Sequence, residues 1–411
     1  MYRLIGESIS HSYSQEIYEE LGYDYGILDL REDKFENFMR NRVFKGINIT
    51  IPYKELVRKH LDIEDEIASR IGVVNTVLKK DNQLIGYNTD YFGLKYLIEK
   101  NEIEVLNKNV LILGTGATSK TAAAVFRDLK ANEIVKVSRT FTKNSITYDD
   151  LDSVKDFDII VNTTPSGMFP DSGESLIDLS LFTKLEAVVD VIYNPLKTKL
   201  VIDALKLNIK AVGGLEMLVA QAFESARLFF DEDFNNEDID KAYQKMVMKK
   251  MNVVLIGMPT AGKTTIARKL AKKLNKDFKD VDHIIVERQG KTIREIFTHD
   301  GEDFFRMLES TIIKELSHLT NTIIASGGGS ILDSENVDWL KGNGLLVFVD
   351  RPLELLYAEQ SRPLTASDDN LENIYKDRYQ TYKDVSDVVV VNDESLDQVV
   401  NEILEAIKCA Y

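Results

Sequence analysis

Short apolar runs that lead into glycine turns and helix-like segments recur along the chain. The two clearest are NVLILGTGATSKTAAAVFRDL, which begins at Asn109, and NVVLIGMPTAGKTTIARKL, which begins at Asn252. Each joins an apolar strand, a glycine turn and a helix, which is the pattern of nucleotide-binding units with a parallel sheet. Further strands are predicted near YRLIG, YGILDL and GINITI, in alternation with helical patterns. The pattern therefore predicts an α/β fold.

A helical region separates the two nucleotide-binding units. From about Glu216 to Lys250 the chain contains MLVAQAFESARLFF, an acidic turn and DIDKAYQKMVMKK. Met251 and the strand after it look like the start of a second protein, so we place the junction near Lys249 and Lys250. Because this junction is short, we expect the two halves to be closely tethered.

Length, charge and cysteine content narrow the classes of protein. A chain of 411 residues suggests two or three domains, and 44% apolar with 29% charged residues is ordinary for a globular protein. The net charge of −16 argues against a nucleic-acid partner, so an anionic ligand must be gathered by a local site. No apolar run reaches the ~18 residues of a membrane span, and no secretory signal is recognised. With Cys409 as the lone cysteine, we expect a cytoplasmic protein without a membrane partner.

The second unit contains a phosphate-binding loop. Gly257 to Thr264 fits the pattern G-x-x-x-x-G-K-[ST], between an apolar strand and a helix. Backbone N–H groups of such a loop wrap phosphate oxygens, its lysine reaches the β- and γ-phosphates, and its last hydroxyl serves Mg²⁺. ATP and Mg²⁺ are therefore predicted ligands. The predicted nucleotide contacts are Gly257, Thr260, Ala261, Gly262, Lys263, Thr264 and Thr265.

Residues beyond this loop bear on the acceptor of the phosphate. Asp280-Val-Asp282 is predicted to close a strand, with both carboxylates on one face because alternate strand residues share a face. Such carboxylates would organise Mg²⁺-bound water and hold an acceptor hydroxyl. Arg306 and Glu309 lie three residues apart, on one face of a predicted helix. Glycines 327–329 follow the strand TIIA and let the backbone approach a ligand closely.

The order P-loop, D-x-D, F-R-x-x-E, G-G-G, R-P-L and R-Y-x-x-Y resembles shikimate kinase, from Met251 to Tyr411. Asp282 would then hold the acceptor hydroxyl as the candidate base, and Arg362 would reach the phosphates from a closing lid. Asp280 and Thr264 would serve Mg²⁺. The resemblance also implies a shikimate-binding set, in which the arginines pair the substrate carboxylate through their planar forks: Asp282, Arg306, Gly328, Gly329 and Arg378.

The predicted lid departs from that family. The segment Ser361-Arg362-Pro363-Leu364 looks shortened, and Leu356-Tyr357-Ala358-Glu359 stands where the family often has an arginine that stacks on adenine. We therefore expect weaker ATP binding. Two alternatives follow for this half, namely a different small polyol or acid as the acceptor, or a non-catalytic module.

The first unit has the features of a dinucleotide site. Gly114-Thr-Gly116-Ala-Thr-Ser119 matches G-x-G-x-x-G, with Ser119 in place of the third glycine. The next predicted strand ends at Ser138-Arg139-Thr140, and Lys143 is close behind. NAD-binding proteins usually place an acid there to bond the ribose 2′-hydroxyl, whereas positive charge suits a 2′-phosphate. The sequence therefore predicts NADP rather than NAD.

Polar clusters precede the dinucleotide unit, at predicted strand ends and turns. They include GINITIPYK, VNT and GYNTD, and α/β folds build their sites at strand ends. Hydride reduction of a ketone leaves an alkoxide that needs a proton. A lysine–aspartate pair supplies it, because the carboxylate orients the ammonium and the ammonium polarises and protonates the oxygen. Lys54 and Asp90 are the predicted pair.

The motifs of this half together resemble shikimate dehydrogenase, from Met1 to about Lys250. They are H-S-x-S, N-x-T-x-P-Y-K, V-N-T, G-x-N-T-D, N-T-T-P-S-G-M, D-V-I-Y-N-P and G-G-L-E-M-L-V-x-Q-A. The resemblance implies substrate contacts from Ser12, Ser14, Asn48, Thr50, Asn75, Asp90, Tyr193 and Gln221. It implies dinucleotide contacts from Gly114, Gly116, Ala117, Ser138, Arg139, Thr140 and Lys143, with Asn162, Thr163 and Met217 on the nicotinamide side.

The two resemblances imply consecutive reactions of aromatic amino-acid biosynthesis. 3-Dehydroshikimate would be reduced to shikimate with NADPH, and shikimate would be phosphorylated by ATP to shikimate 3-phosphate. A quinate/shikimate dehydrogenase that uses NAD is the alternative for the first half. We expect no channelling of shikimate between the two sites. Shikimate is an anion, and a chain with a net charge of −16 does not favour a path for an anion. A homodimer is compatible with the sequence.

The resemblances also predict the architecture. We expect a dehydrogenase-like part over 1–248, with a mixed α/β substrate lobe (1–105 and 216–248) and a Rossmann dinucleotide lobe (106–215). A P-loop kinase domain with a central parallel sheet is expected over 251–411.

Overall fold

The structure is a computed structural model that describes residues 1–10, 12–141, 145–153, 156–170, 172–357 and 368–409. The chain divides into two compact units. The first comprises Met1–Asn194 with Leu200–Met246, and the second comprises Pro195–Lys199 with Val247–Tyr411.

One mixed sheet forms the early part of the first unit. Its strands are β1 (Tyr2–Gly6), β2 (Tyr25–Asp29), β3 (Gly46–Ile49), β4 (Ile63–Glu64), β5 (Thr76–Lys80) and β6 (Gln83–Tyr87). Their order is β2-β1-β3-β5-β6-β4, and β1 runs parallel to both neighbours whereas β5 runs antiparallel to both of its own. Asp81 and Asn82 join β5 to β6 with positive φ, the backbone that a two-residue hairpin requires.

A second sheet of the first unit is entirely parallel. Its strands are β7 (Asn109–Leu113), β8 (Glu133–Ser138), β9 (Ile146–Thr147), β10 (Ile159–Asn162), β11 (Ala187–Asp190) and β12 (Lys210–Val212), in the order β12-β11-β10-β7-β8-β9. Successive residues of β7 face opposite core clusters, with Val110 and Ile112 on one side and Leu111 and Leu113 on the other. Burial on both faces explains the unbroken apolar runs of these strands.

Helices cover both sheets. They are α1 (Ser14–Glu20), α2 (Glu32–Asn41), α3 (Glu66–Ile71), α4 (Thr89–Lys100), α5 (Ala117–Asp128), α6 (Lys199–Lys206), α7 (Leu215–Phe230) and α8 (Asn236–Lys250). Short 3₁₀ helices occur at Leu56–His60, Tyr148–Ser153 and Leu179–Leu181. The side chain of Asn88 caps α4 by accepting a 3.0 Å hydrogen bond from the Tyr91 N–H, which places Asp90 in the first turn of that helix.

The second unit is built on a single parallel sheet. Its strands are β13 (Asn252–Ile256), β14 (Asp277–Asp280), β15 (Thr322–Ala325), β16 (Gly344–Asp350) and β17 (Val388–Val391), in the order β14-β15-β13-β16-β17. Its helices are α9 (Lys263–Leu274), α10 (Val281–Gln289), α11 (Ile293–His299), α12 (Glu302–Ser317), α13 (Ser334–Asn343), α14 (Asp368–Val385) and α15 (Leu396–Cys409), with 3₁₀ turns at Ser330–Leu332 and Leu353–Leu355. Strand β13, at the centre, is buried over its whole length.

A lysine joins three segments of the second unit. The Lys276 ammonium donates to the carbonyl oxygens of Met248 and Met251, at 2.7 and 2.9 Å, and to Asn321 Oδ1 at 2.9 Å. Burial lowers the pKa of Lys276 to about 8. The side chain therefore ties the end of α8 to the start of β13 and to the turn before β15.

The predicted fold class is confirmed. A mixed sheet precedes a parallel dinucleotide-type sheet, and a second parallel sheet carries the phosphate loop. Strands are found at YRLIG, within YGILDL and within GINITI, as predicted. Of the helices in the described ranges, none is long and apolar enough to span a membrane.

Candidate active sites

Lys54 and Asp90 form a close ion pair in the first unit. Lys54 follows β3, Asp90 lies in the first turn of α4, and Lys54 Nζ is 2.6 Å from Asp90 Oδ2. Their side chains retain only 12% and 10% of their exposure. Two charges that are shielded from water attract each other more strongly than a surface pair. An ammonium has three N–H donors, so Lys54 can bond a ligand oxygen as well as Asp90. The structure thus brings together the two residues that the sequence predicts as the proton-supplying pair.

Asn75 holds the other oxygen of Asp90. Its amide nitrogen donates to Asp90 Oδ1 at 2.9 Å and to Thr89 Oγ1 at 3.0 Å, and its carbonyl accepts from the Thr89 N–H at 2.7 Å. Asn75 is buried immediately before β5. Both oxygens of Asp90 are therefore bonded, one to the lysine and one to the amide.

The other predicted substrate residues lie on several elements of this unit. The hydroxyls of Ser12 and Ser14 are 3.1 Å apart at the start of α1, and Ser12 also bonds Tyr193, whose pKa is raised by burial. Gln221 on α7 receives a 3.4 Å contact from Thr89 Oγ1. Thr50 follows β3 and is partly exposed. Their contact with a substrate stays a prediction.

Asn48 is also predicted as a substrate contact, but protein groups occupy the donor and acceptor positions of its amide. It is buried, and it bonds Tyr18, Tyr25, Thr76 and Ser225 through its side chain. Sequence reasoning gave no role to Thr76, Thr89 or Ser225. The first two belong to the motifs VNT and GYNTD. Ser225 has a weaker signal, as a small polar residue in an apolar helix.

The dinucleotide loop has the expected local geometry. Gly114 has φ of +108°, and a Cβ there would lie 2.9 Å from Thr163 Oγ1, so a larger residue would be strained. Gly116 is the N-cap of α5 and Ala117 its first residue, without a side-chain cap on the helix. An uncapped helix N-terminus presents N–H groups that suit an anion.

The remaining predicted dinucleotide residues in the described ranges lie at or just after the ends of neighbouring strands, except for Met217 on α7. Arg139 and Thr140 are exposed after β8, whereas Ser138 is buried, with its hydroxyl bonded to the Thr140 carbonyl. Asn162 ends β10 and donates to Asp190 Oδ1 at 3.1 Å. Thr163 donates to the Leu113 carbonyl at 2.7 Å, and Met217 is buried near the start of α7. Lys143 lies outside the described residues.

The phosphate loop of the second unit adopts a backbone that only certain residues tolerate. Gly257, Thr260 and Gly262 have φ of +143°, +64° and +89°. A Cβ on Gly257 would lie 2.7 Å from a backbone carbonyl oxygen. Lys263 is buried, and its ammonium donates to the carbonyls of Gly257 and Met258 at 2.8 and 2.9 Å. The lysine thus closes the loop into a ring at the start of α9, which opens with Lys263, Thr264 and Thr265.

Thr264 and Asp280, the predicted magnesium ligands, lie side by side. Thr264 Oγ1 is 2.7 Å from Asp280 Oδ2, and hydroxyl and carboxylate oxygens are hard ligands that suit Mg²⁺. Two side-chain ligands are few, but Mg²⁺ usually keeps several waters and takes phosphate oxygens. In the described part of the chain, no group of three or more His, Cys, Asp or Glu residues forms a metal cluster.

The predicted strand over Asp280-Val-Asp282 was wrong in its second half. Strand β14 ends at Asp280, whose carboxylate caps α10 by accepting from the His283 N–H at 3.1 Å, and Asp282 lies in the first turn of that helix. The two carboxylates therefore do not share a strand face. An aspartate at a strand end stabilises a helix N-terminus, and this local preference outweighs the alternating pattern.

Asp282 nevertheless lies beside the three glycines. A Cβ on Gly327 would be 2.2 Å from Glu309 Oε1 and 3.1 Å from Asp282 Oδ1, and a Cβ on Gly329 would be 2.2 Å from the Arg306 guanidinium. Side chains larger than hydrogen are thus excluded here. Gly328 presents its carbonyl oxygen to Arg378, at 3.0 Å.

A buried carboxylate organises Arg306. Glu309 accepts from Arg306 Nη1 and from Ser330 Oγ, both at 2.6 Å, and burial raises its pKa against the opposing charge of Arg306. The carboxylate of Glu302 accepts hydrogen bonds from Nε and Nη2 of Arg306, at 3.3 and 3.0 Å. Three of the five guanidinium N–H groups are used among the described residues, which leaves two for an anionic ligand. The lid residue Arg362, like all of 358–367, lies outside the described residues.

Comparison with known proteins follows the division into units. Residues 4–77 match the family model of the shikimate dehydrogenase substrate binding domain, and residues 259–408 match that of shikimate kinase. A shikimate dehydrogenase (NADP(+)) of Clostridium perfringens strain 13 / Type A is 33% identical over 271 residues, covering 61% of this chain and 98% of that protein. One from Methanococcus maripaludis strain C6 is 36% identical over 252 residues, covering 55% and 90%.

Solved structures agree with these relatives. A chorismate mutase/shikimate 5-dehydrogenase fusion protein from Clostridium acetobutylicum is 33% identical with a TM-score of 0.56, covering 60% of this chain and 96% of that chain. The shikimate 5-dehydrogenase of Thermus thermophilus, in complex with NADP(H) and shikimate, is 27% identical with a TM-score of 0.54, covering 59% and 98%.

Proposed function

The chain belongs to the shikimate dehydrogenase family over its N-terminal part and carries a shikimate kinase domain after it, and we propose that it catalyses two consecutive reactions. The first reduces 3-dehydroshikimate to shikimate with NADPH. The second phosphorylates shikimate with ATP to shikimate 3-phosphate, on the route to chorismate and the aromatic amino acids. The observation that carries the first reaction is the shielded 2.6 Å pair of Lys54 and Asp90.

In the reduction, NADPH supplies the hydride when bound. The Lys54 ammonium donates a hydrogen bond to the ketone oxygen and then gives that oxygen a proton as the alkoxide forms. Asp90 holds the ammonium in place, and Asn75 holds Asp90. Hydroxyl and amide groups orient the remaining substrate oxygens, from Ser12, Ser14, Thr50, Tyr193 and Gln221.

The dinucleotide is held by the loop before α5 and by the end of β8. The α5 N-terminus receives the pyrophosphate, because its N–H groups and helix dipole favour an anion. Arg139 and Thr140, both exposed, receive the 2′-phosphate of NADPH. An arginine suits a phosphate through charge-assisted, bidentate hydrogen bonds.

In the phosphorylation, ATP provides the phosphoryl group and Mg²⁺ neutralises phosphate charge. Thr264 and Asp280 hold the ion, and Lys263 pairs with phosphate oxygens. Asp282 accepts the hydrogen of the shikimate hydroxyl, while Arg306 and Arg378 take the substrate carboxylate. Positioning and charge neutralisation suffice, because phosphoryl transfer needs little covalent chemistry from the protein.

One experiment tests both reactions together. Purified protein receives 3-dehydroshikimate, NADPH, ATP and Mg²⁺, and mass spectrometry follows shikimate and shikimate 3-phosphate over time. We expect a brief rise in shikimate and then the phosphate ester. Lys54→Ala should abolish both products from 3-dehydroshikimate but leave phosphorylation of added shikimate unchanged. Lys263→Ala should let shikimate accumulate, and an ester that still forms at the wild-type rate would refute the kinase assignment.

The same assay separates the alternatives. Equal rates of 3-dehydroshikimate reduction with NADPH and NADH would favour the NAD-dependent quinate/shikimate dehydrogenase, whereas Arg139 supports NADP. Gluconate or a nucleoside monophosphate phosphorylated faster than shikimate would indicate another acceptor. Shikimate that accumulates without any ester would indicate a second half without catalytic activity.

The proposal extends to organisation and to the fate of the intermediate. The dehydrogenase part spans 1–248, with the substrate lobe in 1–105 and 216–248 and the dinucleotide lobe in 106–215, and the kinase part spans 251–411. Shikimate is released between the steps rather than channelled. Isotope-labelled 3-dehydroshikimate with excess unlabelled shikimate tests this, since undiluted label in the ester would contradict it. Mass measurement in solution tests the homodimer.

A further inference from the structure

Three buried hydroxyls form a triangle that is connected to the Lys54–Asp90 pair through Asn75. Thr76 begins β5, Thr89 begins α4, and Ser225 lies in α7. Their oxygens are 3.0 Å apart along each of the three sides. All three residues are at most 1% exposed. The triangle therefore links one strand to two helices in a buried part of the first unit.

Asn48 fixes one side of this triangle. Its amide nitrogen donates to Thr76 Oγ1 at 2.9 Å and to Ser225 Oγ at 2.8 Å. Its carbonyl oxygen accepts from the hydroxyls of Tyr18 and Tyr25, at 3.1 and 2.7 Å. Two donors and two acceptor positions exhaust an amide, so the orientation of Asn48 is determined within the protein and none of its groups remains for a substrate.

Asn75 lies on the opposite side of the triangle. Thr76 Oγ1 is 3.2 Å from Asn75 Oδ1, and Thr89 Oγ1 accepts from Asn75 Nδ2 at 3.0 Å. The Thr89 N–H donates to Asn75 Oδ1 at 2.7 Å, and this bond requires the Asn75 nitrogen to face Asp90, which it bonds at 2.9 Å. With the amide reversed, its carbonyl oxygen would face a carboxylate and repel it. The Thr89 N–H thus selects the amide orientation that holds Asp90, and the hydroxyls of Thr76 and Thr89 fix the position of that amide.

We propose that Ser225 and Asn48 are positioning residues for the reduction, acting through the hydroxyl triangle and Asn75 on Asp90 and Lys54. The inference rests on the proposed dehydrogenase activity. Neither residue touches the ion pair, so their effect is on its geometry. Ser225 brings α7 into the network, and its hydroxyl also donates to the backbone carbonyl of Gln221 in the same helix, at 3.0 Å. The contacts of Ser225 with Thr76 and Thr89 hold α7 against the elements that carry Asn75 and Asp90.

The test uses variants that remove a hydroxyl with little change of shape. Thr76→Val replaces the hydroxyl by a methyl group, Thr76→Ser keeps it, and Ser225→Ala removes the helix link. Ser317→Ala is the matched control, because Ser317 is also a buried helical serine bonded to a carbonyl of its own helix, that of Lys314 at 2.7 Å. Each protein is assayed for reduction of 3-dehydroshikimate with NADPH and with 4-deuterated NADPH, and its unfolding is followed in urea.

We expect kcat for the reduction to fall about 10-fold in Thr76→Val and Ser225→Ala, with KM within about 2-fold of wild type. The deuterium isotope effect should rise, because a misplaced proton donor slows the hydride step. Thr76→Ser and Ser317→Ala should keep kcat within about 2-fold of wild type.

Several results would overturn the inference. They are an unchanged kcat in both hydroxyl-deleted variants, a loss in Thr76→Ser as large as in Thr76→Val, or a loss of activity that matches the unfolded fraction. Wild-type protein that fails to reduce 3-dehydroshikimate would overturn the proposed function, and this inference with it.

Discussion

Gly93 permits the close contact of α4 with α7, and its replacement by alanine should disrupt both stability and one activity. An alanine Cβ would lie 2.5 Å from the Met217 carbonyl oxygen and 3.0 Å from Gln221 Cβ. Ordinary carbon–oxygen contacts are about 3.3–3.6 Å, so the backbones must separate by roughly 1 Å. Overpacking destabilises by up to about 3 kcal/mol, and the helix propensity of alanine offsets about 1 kcal/mol. We expect a net loss of about 2 kcal/mol.

The functional effect should be confined to the dehydrogenase. Asp90 lies one turn before Gly93, and Gln221 lies on the facing helix, so a shift of α4 moves both. A misplacement of about 1 Å lowers rates by up to about 100-fold. We expect kcat/KM for 3-dehydroshikimate to fall about 10- to 100-fold, while phosphorylation of added shikimate is unchanged. The melting temperature of the first unit should fall by about 4–8 °C in calorimetry.

A second helical glycine provides the control. A Cβ on Gly342 in α13 would meet its nearest neighbours at 3.6 Å, an ordinary contact distance. Gly342→Ala should therefore leave both activities unchanged and stabilise by up to about 1 kcal/mol. The reasoning would be refuted if Gly93→Ala kept the dehydrogenase activity and the stability of the wild-type protein. It would also be refuted if the dehydrogenase and kinase activities fell equally.

Three further predictions concern the other sites. Asp280→Asn should raise the Mg²⁺ concentration for half-maximal kinase rate about 10-fold, and an unchanged Mg²⁺ titration would contradict the assigned ligand. Arg139→Gln should raise KM for NADPH about 10-fold or more through loss of a charge-assisted contact, but not KM for NADH; equal effects on both would argue against a 2′-phosphate site. Burial lowers the pKa of Lys276 from 10.5 to about 8, so the unfolded state binds more protons between these values and stability rises with pH there. Lys276→Met should reduce the rise in urea unfolding free energy between pH 8 and 10, and an equal slope in both proteins would exclude the lysine as its source.

Motifs that depend on local backbone requirements were predictable. Three glycines of the nucleotide loops, Gly114, Gly257 and Gly262, have φ above +80°, a backbone that favours glycine, whereas Gly116 has φ of −73° and no close neighbour. The pairing of Lys54 with Asp90 was also predicted, because the reaction requires a proton donor beside the ketone. Their catalytic role and the other ligand contacts stay predictions.

The failure at Asp282 shows where local patterns mislead. Alternation along a strand assumes that the strand continues, and nothing in Asp280-Val-Asp282 marks its end. Asp280 ends the strand because it caps α10. Asp282 therefore lies in the first turn of that helix and not in the strand. Asp282 is instead placed beside the glycine turn that follows β15, whereas Asp280 contacts Thr264.

The amino-acid sequence by itself determined the α/β class, the two nucleotide loops and most candidate site residues, because these depend on side-chain periodicity, glycine geometry and short motifs. Only the tertiary structure decided what surrounds them. Asn48 and Ser225 are 177 positions apart along the chain, yet their side chains are 2.8 Å apart. A buried polar group must find its partners wherever the packed elements bring them. That requirement acts through space, so neither the hydroxyl triangle nor the bond between Glu309 and Ser330 has a pattern that spacing alone reveals.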